Sequence, residues 1–396
     1  MEYKLGEMIA CNPTVKLEKG EKYNLVDIDS IQVGTRYVKG KELQTFEGKS
    51  GCRFQNGDTV MARITPCLEN GKIAQIQCES EKGFGSTELL VFRGIKDKTD
   101  SDYVFSLMST EYIRNLSATS MSGASGRQRA DLSFIKNIKW DFPSLSVQQR
   151  IASILNNYDK LIQNYQKQIE DLQNLAGELY KEWFVRFRFP GHEKATFENG
   201  IPVGWNKEKL THFGKVITGK TPPTEISDYY GEDVMFVKTP DMHNEIYVQQ
   251  TSEYLSKKGS DFQKAQFIPK NSIMVSCIGT GGVVAINAYP AHTNQQINSI
   301  ILDDLTYLPW LYFTIKSMKE TIIMFGNTGT TMTNLSTGKF ERLKVICPKH
   351  GIVNKFESIA MPVFEKLLNL SAEIANLSKQ RDLLLPRLMS GKLEVK

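Results

Sequence analysis

The chain has 396 residues, 40% hydrophobic and 23% charged, which is enough for two or three domains that each bury a core. It carries 49 Lys and Arg against 44 Asp and Glu, and residues 1–145 carry 20 basic against 19 acidic side chains. This balance does not by itself identify a nucleic-acid-binding protein. The sequence contains neither a long apolar run nor a secretion signal, and its six cysteines form no CxxC pair. We therefore expect a cytoplasmic protein without a membrane span or a zinc site.

Strand patterns dominate both halves of the chain. In the first half, NGDTVMARITP (56–66) is a polar turn followed by a strand pattern, and FIKNIKWDFP (134–143) alternates charged and apolar residues up to a proline. The second half has counterparts in KNSIMVSCIGT (270–280) and KFERLKVICP (339–348). Because these features recur in the same order, each followed by a helical pattern, the sequence predicts an internal repeat.

A long helical segment follows each strand-rich half. Apolar residues recur at alternating steps of three and four, which is the a/d seam of a coiled coil. The first seam comprises Ile151, Leu155, Tyr158, Ile162, Tyr165, Ile169, Leu172, Ala176, Leu179 and Trp183. The second comprises Val353, Phe356, Ala360, Val363, Leu367, Leu370, Ile374, Leu377, Arg381, Leu384 and Leu388. We predict that the two helices pair with each other and that Pro362 kinks or restarts the second; an amphipathic helix packed on a globular core is the alternative for either.

These elements predict an α+β protein in which two strand-rich domains are joined by two long antiparallel coiled-coil helices. The predicted segments are 1–145, 146–188, 189–348 and 349–396. The connection FRFPGHEKATFENGIPVGW (187–205) is rich in Gly, Pro and charge, which favours a domain boundary over an ordinary surface loop.

One segment has the spacing of a nucleotide-binding loop. GKVITGKT (214–221) fits the pattern G-x-x-x-x-G-K-[ST]. Such a loop should follow a buried strand and open a helix, whereas here a charged segment precedes it and Pro222 and Pro223 follow. No metal-ligand cluster or catalytic triad pattern accompanies it. Because the spacing fits but the surrounding sequence does not, a coiled-coil P-loop NTPase is the alternative hypothesis and not the favoured one.

Several segments resemble a known family, the specificity (S) subunits of type I restriction–modification enzymes. They are PSLSVQQRIASIL (143–155), LYKEWFVRFRFPGHE (179–193), ENGIPVGW (198–205), VITGKTPP (216–223) and LLLPRLMSGKLEV (383–395). The resemblance covers the junctions and the chain end, and the two-domain layout extends it to the whole length. It also accounts for GKT, because in such proteins this segment opens the second recognition domain.

The resemblance implies a non-catalytic subunit that binds double-stranded DNA. Each strand-rich domain would be a target-recognition domain that reads one half of a bipartite site, and the helices would set the gap. Two methyltransferase subunits would dock on the helices, and restriction subunits would complete the complex. We expect no cofactor on this chain: S-adenosylmethionine, ATP and Mg²⁺ would bind the partner subunits. A silent recombination-cassette copy of the same subunit is a further alternative.

Candidate base-reading residues are hydrogen-bonding side chains in loops rather than on strands. In the first domain they are Arg63, Ser86, Thr87, Arg127, Gln128 and Arg129. In the second they are Thr218, Lys220, Thr221, Asn294, Gln295, Gln296, Asn327, Thr330 and Thr331. Exposed solvated loops are the alternative for each. Tyr180, Trp183 and Phe184 are candidates for docking the methyltransferase, the alternative being closure of the coiled coil onto the adjacent domain.

Overall fold

A computed structural model describes residues 2–48, 50–123, 127–243, 246–326 and 333–395. The chain forms two compact units: Met1–Asn164 with Ile374–Lys396, and Tyr165–Glu373. Each unit includes a stretch of both long helices, so the division differs from the four predicted segments. The two strand-rich units and the long helices confirm the predicted α+β class.

The first unit is built on two sheets. Its strands are Glu2–Lys4 (β1), Ile9–Cys11 (β2), Lys22–Val26 (β3), Tyr37–Val38 (β4), Leu43–Thr45 (β5), Cys52–Gln55 (β6), Thr59–Ala62 (β7), Ile73–Ile76 (β8), Lys82–Gly85 (β9), Leu89–Gly94 (β10) and Lys139–Asp141 (β11). Its helices are Leu5–Met8 (α1), Ser101–Ser109 (α2), Glu111–Thr119 (α3), Leu132–Asn137 (α4) and the start of Leu145–Tyr180 (α5). The larger sheet has the order β2-β10-β7-β8-β4, and the smaller has β5-β3-β9-β6.

Burial explains the central position of β7 and β8. Every residue of these two strands is buried, as expected for strands covered on both faces. Apolar residues of β7, β8 and β10 on one face pack with α2, and those on the other face pack with Val26 and Phe54 of the smaller sheet. The sheet is therefore the middle layer of the unit.

The second unit has a similar arrangement with additional short strands. Its strands are Phe197–Glu198 (β12), Ile201–Pro202 (β13), Asn206–Lys209 (β14), Gly214–Thr218 (β15), Tyr230–Gly231 (β16), Val234–Val237 (β17), Tyr247–Val248 (β18), Glu253–Leu255 (β19), Ile273–Ser276 (β20), Ile278–Gly279 (β21), Val284–Asn287 (β22), Ala291–Thr293 (β23), Ile297–Leu302 (β24), Thr333–Asn334 (β25) and Lys344–Cys347 (β26). Its helices are Lys257–Phe262 (α6), Leu308–Ser317 (α7), Lys319–Gly326 (α8), Thr337–Glu341 (α9) and His350–Met389 (α10).

The strand orders confirm the internal repeat predicted from sequence. The larger sheet of the second unit has the order β15-β24-β20-β22-β18, which is the order of the first unit with corresponding strands in corresponding places. In both units the smaller sheet contains a parallel pair, β3 with β9 and β17 with β23. The strands β11 and β26 then lead through Pro143 and Pro348 into the long helices.

The long helices pair in opposite directions. In the first unit, Ile151 and Leu155 of α5 share a core with Leu388 of α10. In the second unit, Ala176 and Tyr180 of α5 share a core with Phe356 of α10. All the predicted seam positions of α5 are buried or half-buried. The prediction of a restart at Pro362 is wrong, because α10 is helical without interruption from His350 to Met389; this proline's ring lies on the exposed side of the helix.

A buried ionic layer joins the first unit to its helix pair. The guanidinium of Arg36, with 1% of its side chain exposed, donates to the Asp159 carboxylate of α5 at 3.1 Å and to the Asp102 carboxylate of α2 at 2.7 Å. Arg381 of α10 donates to the other Asp159 oxygen at 2.8 Å. The Gln75 side-chain oxygen accepts from Arg36 at 2.9 and 3.0 Å. Asp159, itself 4% exposed, thus compensates two cations.

The corresponding layer of the second unit is apolar. Counted from Pro143 and Pro348, Asp159 corresponds to Phe364 and Arg381 to Ala176, while Arg36 and Ile246 each precede the edge strand of the larger sheet. Phe364 is fully buried and packs against Tyr247, Tyr312 and Phe313 with ring-centroid distances of 5.7 to 6.2 Å. Corresponding positions of the two units are thus packed by an ionic layer in the first unit and by an aromatic layer in the second.

Replacing Asp159 tests the ionic layer. Asp159→Ala leaves two guanidinium groups without their shared carboxylate, so we expect it to destabilise the first unit by about 3–5 kcal/mol. Asp382 also pairs with Arg381 but is 62% exposed, so Asp382→Ala is the matched control, with an expected cost below about 1 kcal/mol. The free energy of unfolding of each variant is measured by urea unfolding, with hydrogen exchange of the β4 and β8 amides as the probe of the first unit. Equal effects of the two substitutions would contradict this account.

A buried histidine predicts acid sensitivity of the second unit. His292 in β23 is fully buried, with Nε2 2.8 Å from the Ser260 hydroxyl. Burial lowers the pKa of His292 to about 4, and the backbone of Gln266 opposes this only in part. The unfolded chain therefore takes up a proton near pH 6.5 that the folded chain takes up only near pH 4.

We expect the second unit to lose up to roughly 3 kcal/mol of stability as the pH falls from about 6.5 to 4. His292→Gln removes the titrating group, so the pH dependence attributable to it should vanish even if stability at pH 7 falls. Urea unfolding at pH 7, 6 and 5 provides the measurement, with the exposed His212 replaced as a control. A variant that retains the full pH dependence would refute the role of His292.

Candidate nucleic-acid interface

The first unit brings its predicted residues together from three separate segments. Arg63 follows β7, Ser86–Glu88 form the turn between β9 and β10, and Arg127–Arg129 precede α4. The Arg63 amide donates to the Glu88 carbonyl at 2.9 Å, and Ile64 forms an isolated antiparallel β-bridge with Arg129. The Arg129 guanidinium donates to both oxygens of the Glu88 carboxylate. We call these three segments the first loop cluster.

Side chains in this cluster differ in their availability. Thr87 and Arg127 are exposed, whereas Arg63 is half-buried and donates to the Ala130 carbonyl at 3.2 Å. The Ser86 hydroxyl accepts from the Glu88 amide at 3.1 Å, and the Gln128 carbonyl accepts from the Thr65 amide at 3.0 Å. The exposed side chains are thus presented by a turn and a loop whose backbones are tied down.

Glu88 is the member of the cluster that the sequence analysis did not identify. Hydrogen bonding to Arg129 holds the pKa of Glu88 below its usual range, since this effect outweighs partial burial, and the charges of Arg129 and Arg63 act in the same direction. Its carboxylate is therefore ionised at neutral pH. A lone acidic residue directly after a predicted Ser-Thr pair was the available sequence signal.

The second unit joins two predicted segments that lie about 75 residues apart. The Lys220 amide donates to the Thr293 carbonyl at 2.9 Å, and the Thr221 hydroxyl donates to the Gln295 side-chain oxygen at 2.5 Å. The Thr218 hydroxyl donates to the Asn298 side-chain oxygen at 2.7 Å and also contacts the Thr337 hydroxyl. We call residues 218–221 and 294–296 the second loop cluster.

Exposure again separates the members of the cluster. Lys220 and Gln295 are exposed. Asn294 is buried and holds the turn, because its side-chain Nδ2 donates to the Gln296 side-chain oxygen and its Oδ1 accepts from the Gln296 backbone amide, both at 3.2 Å. The Lys220 ammonium lies 4.8 Å from the ring centroid of Phe262, a cation–π contact that no sequence pattern predicts.

The two clusters occupy corresponding places in the repeated fold. Ser86–Glu88 connect β9 to β10, and Asn294–Gln296 connect β23 to β24. In each case the preceding strand belongs to the parallel pair of the smaller sheet, and the following strand to the larger sheet. The fold therefore presents hydrogen-bonding side chains at the same position twice. The predicted residues Asn327, Thr330 and Thr331 lie outside the described residues.

The predicted docking residues belong to the core of the second unit. Tyr180, Trp183 and Phe184 are all buried, and Phe184 contacts the ring of Phe356 with a centroid distance of 5.0 Å. Tyr180 stacks on Phe313 with a centroid distance of 5.5 Å. The prediction that these residues form an accessible landing site requires correction, because their rings close the helices onto the unit's own core.

The geometry of residues 214–221 does not support a phosphate-binding loop. Gly214–Thr218 form a strand paired antiparallel to β24 along its whole length. Residues 219–226 contain no helix and are followed by a short 3₁₀ turn at Ser227–Tyr229. The amide groups therefore do not form the strand–loop–helix cradle that phosphates require.

Within the described residues, no group of three or more His, Cys, Asp and Glu side chains is arranged to hold a metal ion. None of the described helices combines the length and the apolar character needed to cross a bilayer.

Comparisons with known proteins agree with this geometry. The family model described as "Type I restriction modification DNA specificity domain" matches residues 1–174 and 202–374. The type I restriction enzyme HindI specificity subunit of Haemophilus influenzae is 28% identical, over 99% of this chain and 99% of its own length. The MjaIX specificity subunit of Methanocaldococcus jannaschii is 28% identical, over 77% of this chain and 72% of its own length.

A solved structure supports the fold alone. The crystal structure of the type I restriction–modification system S subunit from M. genitalium superposes with a TM-score of 0.57 at 14% identity. The match covers 98% of this chain and 96% of that chain. The P-loop NTPase alternative finds no support in these relatives or in the geometry of residues 214–221.

Gly219 allows the two segments of the second cluster to approach. A Cβ at Gly219 would lie 2.2 Å from the Thr293 hydroxyl and 2.3 Å from the Asn294 carbonyl oxygen. We expect Gly219→Ala to push residues 218–221 away from the turn and to destabilise the second unit by roughly 1–3 kcal/mol. Gly338→Ala is the matched control, since an added Cβ there meets nothing within 4 Å. Thermal unfolding compares them, and an unchanged midpoint for Gly219→Ala would contradict the close approach.

Proposed function

Because this chain belongs to the type I restriction–modification DNA specificity family, we propose that it selects the DNA sequence on which a type I complex acts. Each unit would read one half of a bipartite site in double-stranded DNA, with the first and second loop clusters contacting the bases. The observation that carries this proposal is the repeated fold, which presents two clusters of hydrogen-bonding side chains at corresponding turns. Two readers of this kind fit a site with two separated halves.

The near-neutral charge fits a shared mode of DNA binding. Phosphate contacts provide much of the affinity of a DNA-binding protein, and with a net charge of +5 over 396 residues this chain would supply few of them. Partner subunits would provide the remainder. Base contacts by the clusters would then provide sequence choice, which is a separate contribution.

The complex would contain methyltransferase subunits, two of them on our proposal, together with restriction subunits. S-adenosylmethionine would bind the methyltransferase, and ATP and Mg²⁺ the restriction subunits, so this chain would hold no cofactor and catalyse no step. The long helices would set the gap between the half-sites and provide the docking surface. Buried Tyr180, Trp183 and Phe184 do not form that surface, which leaves it to exposed faces of α5 and α10. The complex would act on DNA in the cytoplasm.

Mapping DNA methylation tests the proposal. We expect co-expression of this chain with its cognate methyltransferase, in a host without other methylation, to produce N6-methyladenine at one bipartite motif. Thr87→Ala with Arg127→Ala should alter the preference in one half only, and Gln295→Ala in the other half only. The double variant and Gln295→Ala thus serve as controls for each other, because a general loss of affinity would affect both halves.

Three other outcomes would contradict the proposed function. If no methylation appears and the two proteins fail to co-purify, this chain does not specify the complex. A methyltransferase that co-purifies without methylating DNA would indicate the silent copy considered above. Purified chain should not bind ATP with Mg²⁺, and binding that is lost in Lys220→Ala would restore the nucleotide-binding alternative.

A further inference from the structure

Glu88 holds the guanidinium of Arg129 in one orientation. The Arg129 Nε–H donates to the two Glu88 carboxylate oxygens at 2.8 and 3.0 Å, and Nη2 donates to Oε1 at 2.6 Å. This is the side-on arrangement in which a carboxylate occupies the Nε/Nη2 edge of the guanidinium. In the described residues, Nη1 has no hydrogen-bond partner. The carboxylate therefore takes one edge of the fork and leaves the Nη1/Nη2 edge open.

Both members of the pair are anchored by their backbones. Glu88 lies in a three-residue turn, where its carbonyl accepts from the Arg63 amide at 2.9 Å and its amide donates to the Ser86 hydroxyl. Arg129 exchanges two backbone hydrogen bonds with Ser122, at 3.0 and 3.2 Å. A long arginine side chain normally loses considerable rotamer entropy when it is fixed in a complex. Here the Arg129 side chain is already held by Glu88 in the free protein, so less of this entropy remains to be lost on binding.

The open edge has donors that suit one base. Arg129 is 46% exposed, while Glu88 is 19% exposed, so the arginine is the more accessible member of the pair. Two parallel N–H donors of a guanidinium match the O6 and N7 acceptors of guanine in the major groove. We propose that Glu88 is a specificity-determining residue that orients Arg129 toward guanine in the half-site read by the first unit. This inference rests on the function proposed above.

The second unit has a neutral residue at the corresponding position. Gln296 is the third residue of its turn, as Glu88 is of its own. The Gln296 side-chain oxygen accepts from the neutral donors Asn294, at 3.2 Å, and the Thr239 hydroxyl, at 3.4 Å, and among the described residues it pairs with no cation. The two half-sites should therefore be read by different chemistry, and Gln296 provides a matched control within the same chain.

A purely structural role predicts a different result. An ion pair with a half-exposed arginine contributes little to stability, so the fold should tolerate its loss. Glu88→Gln keeps the shape of the side chain but weakens the grip on Nε and Nη2. Arg129→Lys keeps the charge but cannot present two parallel donors. Both substitutions should change base preference at one position without changing the thermal unfolding midpoint.

The experiment maps N6-methyladenine with the full chain and its methyltransferase for wild type, Glu88→Gln, Arg129→Lys and Gln296→Ala. We expect the first two variants to relax the same guanine in one half-site, with methylation of sites carrying another base there rising about 5-fold or more relative to wild type. Gln296→Ala should leave that guanine preference unchanged. If one variant folds poorly, the other still reports on the same base.

Three results would overturn the inference. They are an unchanged motif in Glu88→Gln and Arg129→Lys, a parallel loss of methylation that leaves base preference intact, and a relaxed position that is not guanine in the wild-type motif. Failure of the proposed function is recognisable separately, because wild type would then yield no bipartite motif at all, and this inference would fall with it.

Discussion

The layer in which each unit meets the two long helices is the constraint on which the remaining structure depends. Each larger sheet is covered by helices on one face, and its edge strand lies beside α5 and α10. In the first unit this layer is ionic and centres on Asp159; in the second it is aromatic and centres on Phe364. A buried carboxylate between two guanidinium groups tolerates few geometries, because each charge loses its hydration and needs its partner in place. The aromatic layer relies instead on close packing, which tolerates changes of shape poorly.

This constraint reaches the loops through short connections. Arg36 lies directly before β4, β4 pairs with β8, and β8 pairs with β7, which Arg63 of the first loop cluster follows directly. Arg36, held at the helices, and Arg63 of the cluster are therefore attached to one continuous sheet. In the second unit the same path leads from β18 through β22 and β20. Loop positions follow from the sheet, and the sheet is positioned by the helix layer.

Periodic features could be predicted from the sequence, and features that depend on particular partners could not. The heptad seams, the strand-rich halves and the repeated strand–proline–helix junctions all follow from local spacing, and they yielded the correct fold class and helix pairing. Arg381 is the one charged residue in an otherwise apolar seam. Its role as a partner of Asp159, which it shares with Arg36, could not be predicted from the spacing. Pro362 was expected to kink or restart the second helix, but α10 continues through it without a restart, and Pro362 is exposed.

The residues of the two loop clusters also fall into those that could be predicted from sequence and those that could not. Residue type and loop position were sufficient to nominate Ser86, Thr87, Gln295 and Gln296, which lie in turns that correspond in the two units. They were not sufficient to separate Asn294, which is turned inward, from its exposed neighbour Gln295. Nor could they identify Glu88, whose role depends on an arginine 41 residues away. The aromatic residues Tyr180, Trp183 and Phe184 were assigned to a surface because their burial depends on the second unit's core.

The unlike helix layers limit how such a protein can be rebuilt by recombination. A strand-rich half carrying Arg36, if transferred alone onto the helix stretch that bears Phe364 and Ala176, would bury a guanidinium opposite a phenyl ring. The reciprocal transfer would place Ile246 against Asp159 and Arg381 and leave both charges without their full complement. Productive breakpoints should therefore fall within the helices rather than at their ends, so that each half travels with its own layer.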